Sequence, residues 1–368
     1  MDTAEDYLRK LEPDELEQLK ATLVKGLIEQ KVFHKFRLLG KHYMVAIDGT
    51  GTNTYDENDE KQSRPHKTSK NGVTTYYHYV VEAKLITPNK MAISIASEWV
   101  TNESADGTEP KFDKQDCEQK AFERLAKKIK KYFPRLPVCI LADGLYPNKT
   151  FMKICQDNTW EYVVVFKDKS LKTLQEEITD TESKKRRSYE THHMSENGLK
   201  LTHRKFEWIT ESLTYAGFSL YWLCCTETIT KYDKNKTVLS VEAAKRFVTL
   251  TSLKVDQCNV RCIAQGGRFR WKIENEGFKA QKHEGYNLGH KYSRSTFDCY
   301  KNYYQCLQIA HMINQLAEHG DMITAMKKCN DKLTIKHLWK DLISVLKICT
   351  IEEHDIEINN RFQVRLAG

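Results

Sequence analysis

Apolar positions in the first forty residues recur at helical spacing. Leu16, Leu19, Leu23 and Leu27 lie about one turn apart and predict a helix. Residues 43–47 are then continuously apolar and stop at Asp48-Gly49-Thr50-Gly51-Thr52. A run that short, closed by an acid and glycine, predicts a buried strand that ends there. Residues 53–72 are polar and predict a loop. Residues 74–86 and 91–100 predict the two strands of a hairpin joined at Pro88-Asn89. Residues 113–133 predict an amphipathic helix, with Phe122, Leu125, Ile129 and Phe133 on one face and lysines on the other. Pro134 and Pro137 end it. Residues 138–142 are a second short apolar run, and it too meets Asp-Gly, at Asp143-Gly144. A short helix over 148–157 then leads to a strand over 160–166.

The pattern changes at about residue 168. Segments 201–210, 218–230 and 245–253 are rich in Thr, Tyr, Trp, Val and Phe and predict strands separated by polar turns. A charged run, ESKKRR at 182–187, sits among them. Helical periodicity returns near Phe269, and long helices are expected over 297–319 and 335–348. A hairpin beside a strand–helix–strand crossover predicts an α/β fold with a mixed central sheet flanked by helices. The expected parts are an N-terminal helical segment (1–40), the first part of a core (41–167), a β-rich insertion (168–256), the completion of the core (257–320) and a C-terminal helical segment (321–368).

Composition narrows the class. Of 368 residues, 40% are hydrophobic, with only 7 Pro and 16 Gly, which excludes wholesale disorder and collagen-like structure. Against 50 acidic residues stand 58 basic ones, and the excess of +8 suits a polyanionic partner. Eleven cysteines, an odd number with no CxxC pair, fit neither a disulfide framework nor zinc-ligand spacing and are expected as reduced thiols. The longest apolar stretch, 216–225, is half of the roughly 20 residues a bilayer requires, so no membrane partner is expected. The opening, MDTAEDYLRKLEPDELEQL, is acidic and polar, unlike a signal peptide.

The chemistry concentrates in acids. Two buried strands that both end in Asp-Gly would present Asp48 and Asp143 side by side at a sheet end, where open α/β sheets bind ligands. Neighbouring carboxylates repel unless a cation lies between them, and hard oxygen ligands suit magnesium or manganese. A third acid lies in RFRWKIENEGFKAQK, where Arg270 and Glu274 are one helical turn apart and Lys282 lies two turns beyond. From 268 to 294 the chain holds seven Lys/Arg against three Glu, interleaved with Phe269, Trp271, Phe278 and Tyr286. Such cations give salt-dependent phosphate affinity, and an aromatic can stack on an unpaired base. Trp271 and Phe278, seven residues apart, equally fit a core face of that helix. Trp208 and Trp222 are alternative stacking candidates. His78 reads as structural, and Glu98 as a strand-end charge.

Three blocks carry a family resemblance: YMVAIDGTGT, ILADGLYPNKTFMKICQDNTWEYVVVFKD and GRFRWKIENEGFKAQKHEGYNLGHKYS. Over roughly residues 40–310 the chain resembles the DDE-type transposases of bacterial insertion sequences, in the RNase H-like, retroviral-integrase superfamily. The separation of 131 positions from Asp143 to Glu274 fits the branch with a β-rich insertion before the last catalytic helix. The resemblance implies an RNase H-like fold and casts Asp48, Asp143 and Glu274 as the catalytic acids, ligating two Mg²⁺ (or Mn²⁺) ions. It implies metal-dependent cleavage at element ends and strand transfer into target DNA. It also implies double-stranded DNA as partner, a homodimer when assembled on DNA, and a cytoplasmic, nucleoid-associated setting. DNA contacts are expected from Arg268, Arg270, Trp271, Lys279 and Lys282. The family signature often has Tyr three residues before its Arg, where this chain has Gly267. Its Lys usually falls seven residues after the Glu, where this chain has Gln281, with Lys282 next. Either the helix holds one extra residue, or Lys279 or Lys282 fills the role; Arg270 is the expected Arg, with Arg268 the alternative.

Two rival expectations remain. Asp48-Gly49-Thr50-Gly51-Thr52 also looks like the first phosphate loop of actin-like ATPases and sugar kinases, although no second glycine-rich loop follows. A truncated or domesticated transposase that only binds DNA is the other, because the 47 residues before Asp48 are few for an end-recognition domain.

Overall fold

The computed structural model describes residues 2–56, 64–101, 116–167, 171–180, 186–293, 296–330, 334–350 and 366. The chain opens with helices α1 (Asp2–Lys10) and α2 (Pro13–Glu29). Strands β1 (Tyr43–Tyr55), β2 (His66–Thr68), β3 (Thr74–Ile86) and β4 (Ala92–Val100) follow. Next come α3 (Glu118–Tyr132), β5 (Val138–Ala142), α4 (Lys149–Asp157) and β6 (Glu161–Val165). Helix α5 (Lys172–Asp180) precedes β7 (Arg186–Met194), β8 (Lys200–Ile209) and β9 (Leu213–Tyr215). Strands β10 (Phe218–Tyr232), β11 (Val238–Val241) and β12 (Lys245–Thr251) complete that block. Helix α6 (Val260–Arg268) continues into a π-helical stretch (Ile273–Lys279) and α7 (Ala280–His283). Helices α8 (Phe297–Glu318), α9 (Asp321–Cys329) and α10 (Ile335–Ile348) end the described chain. None of these helices is long and apolar enough to cross a membrane.

One mixed sheet organises the molecule, in the order β2-β3-β1-β5-β6-β12-β10-β8-β7, with β4 beside β3. Strands β1, β5 and β6 run parallel, and the outer pairings are antiparallel. Both faces of the centre are buried, which is why β1 and β5 read as unbroken apolar runs. On one face Val45, Ile47 and Ile140 pack against Val24, Phe122, Leu125 and Phe151 from α2, α3 and α4. On the other, Met44, Ala46 and Leu141 pack against Ile263, Ile273, Phe278 and Tyr304 from α6, the π-helix and α8.

Several expectations change. Strand β1 does not stop at Asp48; it runs on to Tyr55, paired with β3 from Val45↔Leu85 to Tyr55↔Tyr76. The antiparallel partner overrides the Asp-Gly turn signal. What stops near Asp48 is the pairing with β5, whose last pair is Ala46↔Leu141. The β-rich block extends the core sheet directly, because β12 pairs with β6 from Thr249↔Val165 to Thr251↔Val163. Inside that block α5 buries Leu174 and Ile178, one turn apart, a signal too short to show as periodicity. Of the charged run, 182–185 lie outside the described residues, and Arg186 and Arg187 open β7.

The leucine stripe of α2 is not its buried face. Leu19 and Leu23 are exposed, whereas Glu17, Lys20, Ala21 and Val24 are buried. The polar edge of β4 explains this. Lys20 Nζ donates to Ser94 Oγ at 2.8 Å, and Glu17 Oε1 accepts from Ser97 N and Oγ at 2.6 and 3.0 Å. Helix α8 presents a matching polar row. Tyr304 donates to Glu82 at 2.5 Å, Gln305 to Ser97 at 2.8 Å, and Gln308 accepts from Lys84 at 2.7 Å. Burial pushes the Lys84 ammonium down to about 8, and Glu82 at 3.5 Å opposes that shift. Buried polar groups of this kind are tolerated because they are paired.

Candidate active site

The register of β1 and β5 places two acids together. Two residues beyond the last pair, Ala46↔Leu141, each strand reaches an aspartate, so Asp48 and Asp143 leave neighbouring parallel strands at one level. Asp48 shares the strand face of Met44 and Ala46, toward the α6–π–α7 helix. Arg270, in the turn between α6 and the π-helix, reaches across to it. Arg270 Nη1 lies 3.1 Å from Asp48 Oδ2 and 2.8 Å from Glu274 Oε1. Its side chain is almost fully buried, and its Nε has no partner among the described residues. Asp143 Oδ2 lies 3.5 Å from Lys167 Nζ, and its Oδ1 accepts from Leu145 N at 2.8 Å.

Burial pushes the Asp48 carboxyl up to about 7. Arg270 pulls it down, while Glu274 and Glu118 add to the rise. Glu118 is an acid that sequence reading missed. It opens α3, where the helix dipole favours a negative charge. Tyr79 donates to one of its carboxylate oxygens, and Tyr146 to the other at 3.4 Å. Tyr79 lies over Gly49, where an added Cβ would stand 2.5 Å from the ring. Its sequence signal is only an acid at a helix start, with nothing to tie it to β1.

The π-helix settles which side chains share a face. Glu274 lies within it, and it is half-exposed. A π-turn holds one more residue than an α-turn and is frequent at functional sites. Beyond it, Gln281 is buried, with Nε2 2.8 Å from Gln308 Oε1 and 3.0 Å from His311 Nδ1. Lys282 instead faces β1 and donates to Thr50 Oγ1 at 2.8 Å. Thr50 is two residues from Asp48 on the same strand face. Lys279 is exposed and turned to solvent.

Other expected site residues separate. Arg268 does not join the acids. Its guanidinium holds Glu227 of β10 at 2.7 and 3.2 Å and lies 4.3 Å over the Phe247 ring. Trp271 is exposed, whereas Phe278 is buried, so the two do not form one core face. Trp271 packs edge-on against Phe247 at 6.3 Å and lines a cleft of about 310 Å³ with Lys167, Leu223, Arg246, Gly267 and Arg268. This cleft adjoins the acids through Lys167. At Gly267 an added Cβ would stand 2.9 Å from Val163 Cγ1, so a tyrosine has no room there. Trp208 and Trp222 are buried in the core and unavailable for stacking. His78 is a buried structural residue: Arg64 Nε donates to its Nε2 at 3.2 Å, and burial drives it down to about 3. Glu98 pairs with Arg124 at 2.7 Å and Lys128 at 3.0 Å.

Asp48, Asp143 and Glu274 do not close into a tight knot. Among the described residues, the three-ligand group within 4.8 Å is Glu190, His192 and His203, on β7 and β8. All eleven cysteines are free. No protein-family model matches this chain, and no curated protein matches it either.

Proposed function

We propose that this protein is a DDE-type DNA transposase with an RNase H-like core. Asp48, Asp143 and Glu274 are its catalytic acids, DNA its substrate and two Mg²⁺ or Mn²⁺ ions its cofactor. The observation that carries the reading is the position of Arg270 Nη1. It joins the carboxylate of a central strand to one on a helix 222 positions and more away. A cationic nitrogen between two carboxylates marks where positive charge is required.

The donor set fits divalent ions. Carboxylate oxygens are the ligands that Mg²⁺ and Mn²⁺ prefer. Asp48 is raised to about 7 because burial leaves its charge under-compensated, and a nearby divalent ion corrects that. A two-ion site would not require Asp48, Asp143 and Glu274 all to hold one centre. When bound, such ions would supply activation of a water and charge for a departing 3′ oxygen of a phosphodiester.

The chain's own groups do the rest. Arg270 aims Glu274 toward Asp48. Lys282, anchored on Thr50, and exposed Lys279 offer cations to DNA phosphates. The cleft beside Asp143 adds Lys167, Arg246 and Trp271 for a DNA end. Arg268 holds the insertion strand β10 through Glu227 and positions the helix rather than the substrate. The ATPase reading is less favoured because no second glycine-rich phosphate loop follows Asp48-Gly49-Thr50-Gly51-Thr52 in the sequence.

Cleavage of DNA bearing short inverted repeats, taken from either side of the gene where such repeats are found, with Mg²⁺ or Mn²⁺, tests the proposal. Asp48→Ala, Asp143→Ala and Glu274→Ala should each abolish cleavage in a folded protein. Wild-type cleavage by all three variants would sink it.

A further inference from the structure

A second site lies at the far end of the sheet. Strand β7 is the last in the sheet order and pairs with β8. In that register His192 faces His203 and Glu190 faces Lys205, so Glu190, His192 and His203 share one strand face. The two imidazoles stack at 4.5 Å, tilted by only 12°. His203 Nε2 lies 3.1 Å from Glu190 Oε2. One ligand atom from each of the three falls within 4.8 Å of the others.

We propose that Glu190, His192 and His203 form a binding site for a transition-metal dication of the Zn²⁺ class. Two imidazoles and a carboxylate are a zinc donor set, with a fourth position left to water. Bonds of roughly 2.0–2.1 Å to a tetrahedral ion separate neighbouring ligand atoms by about 3.3 Å. The His203–Glu190 pair already has that spacing, and a side-chain rotation of His192 would close the other two edges. The nearest cation in register leaves the carboxylate to the site: Lys205 pairs with Glu207 at 3.3 Å. Arg204, on the opposite strand face, is held by Glu227 at 2.6 Å. An ion here cross-links β7 to β8 by side chains, where the sheet would otherwise end in a strand held by one backbone ladder. The donor set differs from the acids around Asp48: nitrogen ligands select zinc-class ions over magnesium. The inference therefore stands whether or not the chain is a transposase.

Titration of the metal-free, fully reduced protein with Zn²⁺ against a chromophoric chelator tests it, with Co²⁺ as the spectroscopic probe. One ion per chain should bind beyond any held by the acids around Asp48. His192→Ala, His203→Ala and Glu190→Gln should each weaken binding by at least about tenfold, and Lys205→Ala should not. Glu190→Gln keeps the shape of the side chain and serves if a histidine variant does not fold. Six of the free cysteines are exposed, so the colour of the Co²⁺ complex decides its ligands. Bands without a thiolate charge-transfer component are expected. A thiolate band that accounts for the bound ion overturns the proposal, as does unchanged affinity in the His192→Ala/His203→Ala double variant.

Discussion

Replacing Asp48 by Asn should stabilise the metal-free protein at pH 8. Burial raises this carboxyl from 3.8 to about 7. A shift of about three pH units corresponds to about 4 kcal/mol of penalty on the ionised form, which is a ceiling. Asn keeps an oxygen for Arg270, whose pull on the charged carboxylate is already contained in that shift. The expected gain is therefore up to about 4 kcal/mol at pH 8. The sign follows from proton counting. Between about pH 4 and 7 the folded state keeps a proton that the unfolded chain releases. Stability therefore falls as pH rises through that window and levels off above about 7. The gain of Asp48→Asn should accordingly shrink to nearly nothing near pH 4. Urea midpoints for wild type and variant, across pH 4–8 in chelator, measure the difference, and the contributions of titrating groups remote from Asp48 cancel in it. Adding Mg²⁺ should then stabilise wild type and not the variant, because an ion that binds only the folded site shifts the equilibrium toward it. A pH-independent difference would refute the burial argument. An equal Mg²⁺ response in both proteins would refute Asp48 as a ligand.

Three further outcomes are expected. Gly49→Ala drives a methyl into the Tyr79 ring and should cost about 1–3 kcal/mol in urea unfolding, with part of the loss recovered in the Gly49→Ala/Tyr79→Ala double variant. Burial drives both His78 and His311 down to about 3, so below the ordinary histidine value the unfolded chain takes protons the folded one refuses. Stability should fall from about pH 6.5 toward 3, and His78→Phe should flatten that acid limb in urea midpoints. Arg270→Ala should lower cleavage by about a hundredfold or more, whereas Arg268→Ala should keep cleavage within several-fold and lower stability by about 1–2 kcal/mol, since Arg204 still holds Glu227.

What sequence reading recovered and what it missed divide along one physical line. The runs at 43–47 and 138–142 are legible because both faces of those strands are buried, so every position must be apolar. The β3–β4 hairpin and α8 are legible because their signals are local. The buried faces of α2 and α8 are not, because local patterning sends polar residues to solvent. Glu17 and Lys20 are buried against Ser97 and Ser94, more than seventy positions away. Glu118 is hidden for the same reason: its partners lie on β3 and beyond β5, and only the assembled sheet brings it near Asp48.

The placement of Lys282 shows how spacing alone falls short. On an α-helix, the residue seven positions after Glu274 would share its face, and that residue is Gln281. The chain instead widens to a π-turn over Ile273–Lys279, which absorbs one residue and rotates everything after it. A close packing contact lies within the widened turn. Gly277 sits over the aliphatic part of Lys84, where even a Cβ would stand 3.2 Å from the chain, and Lys84 is itself fixed through Gln308. The same Gln308 takes the Gln281 amide inward, and Lys282 is left facing Thr50 on the strand that carries Asp48. Which cation faces the strand of Asp48 therefore depends on a buried lysine on β3 and a glutamine on α8. Neither stands near the signature in sequence, so no count of positions along the helix alone could choose between Lys279 and Lys282.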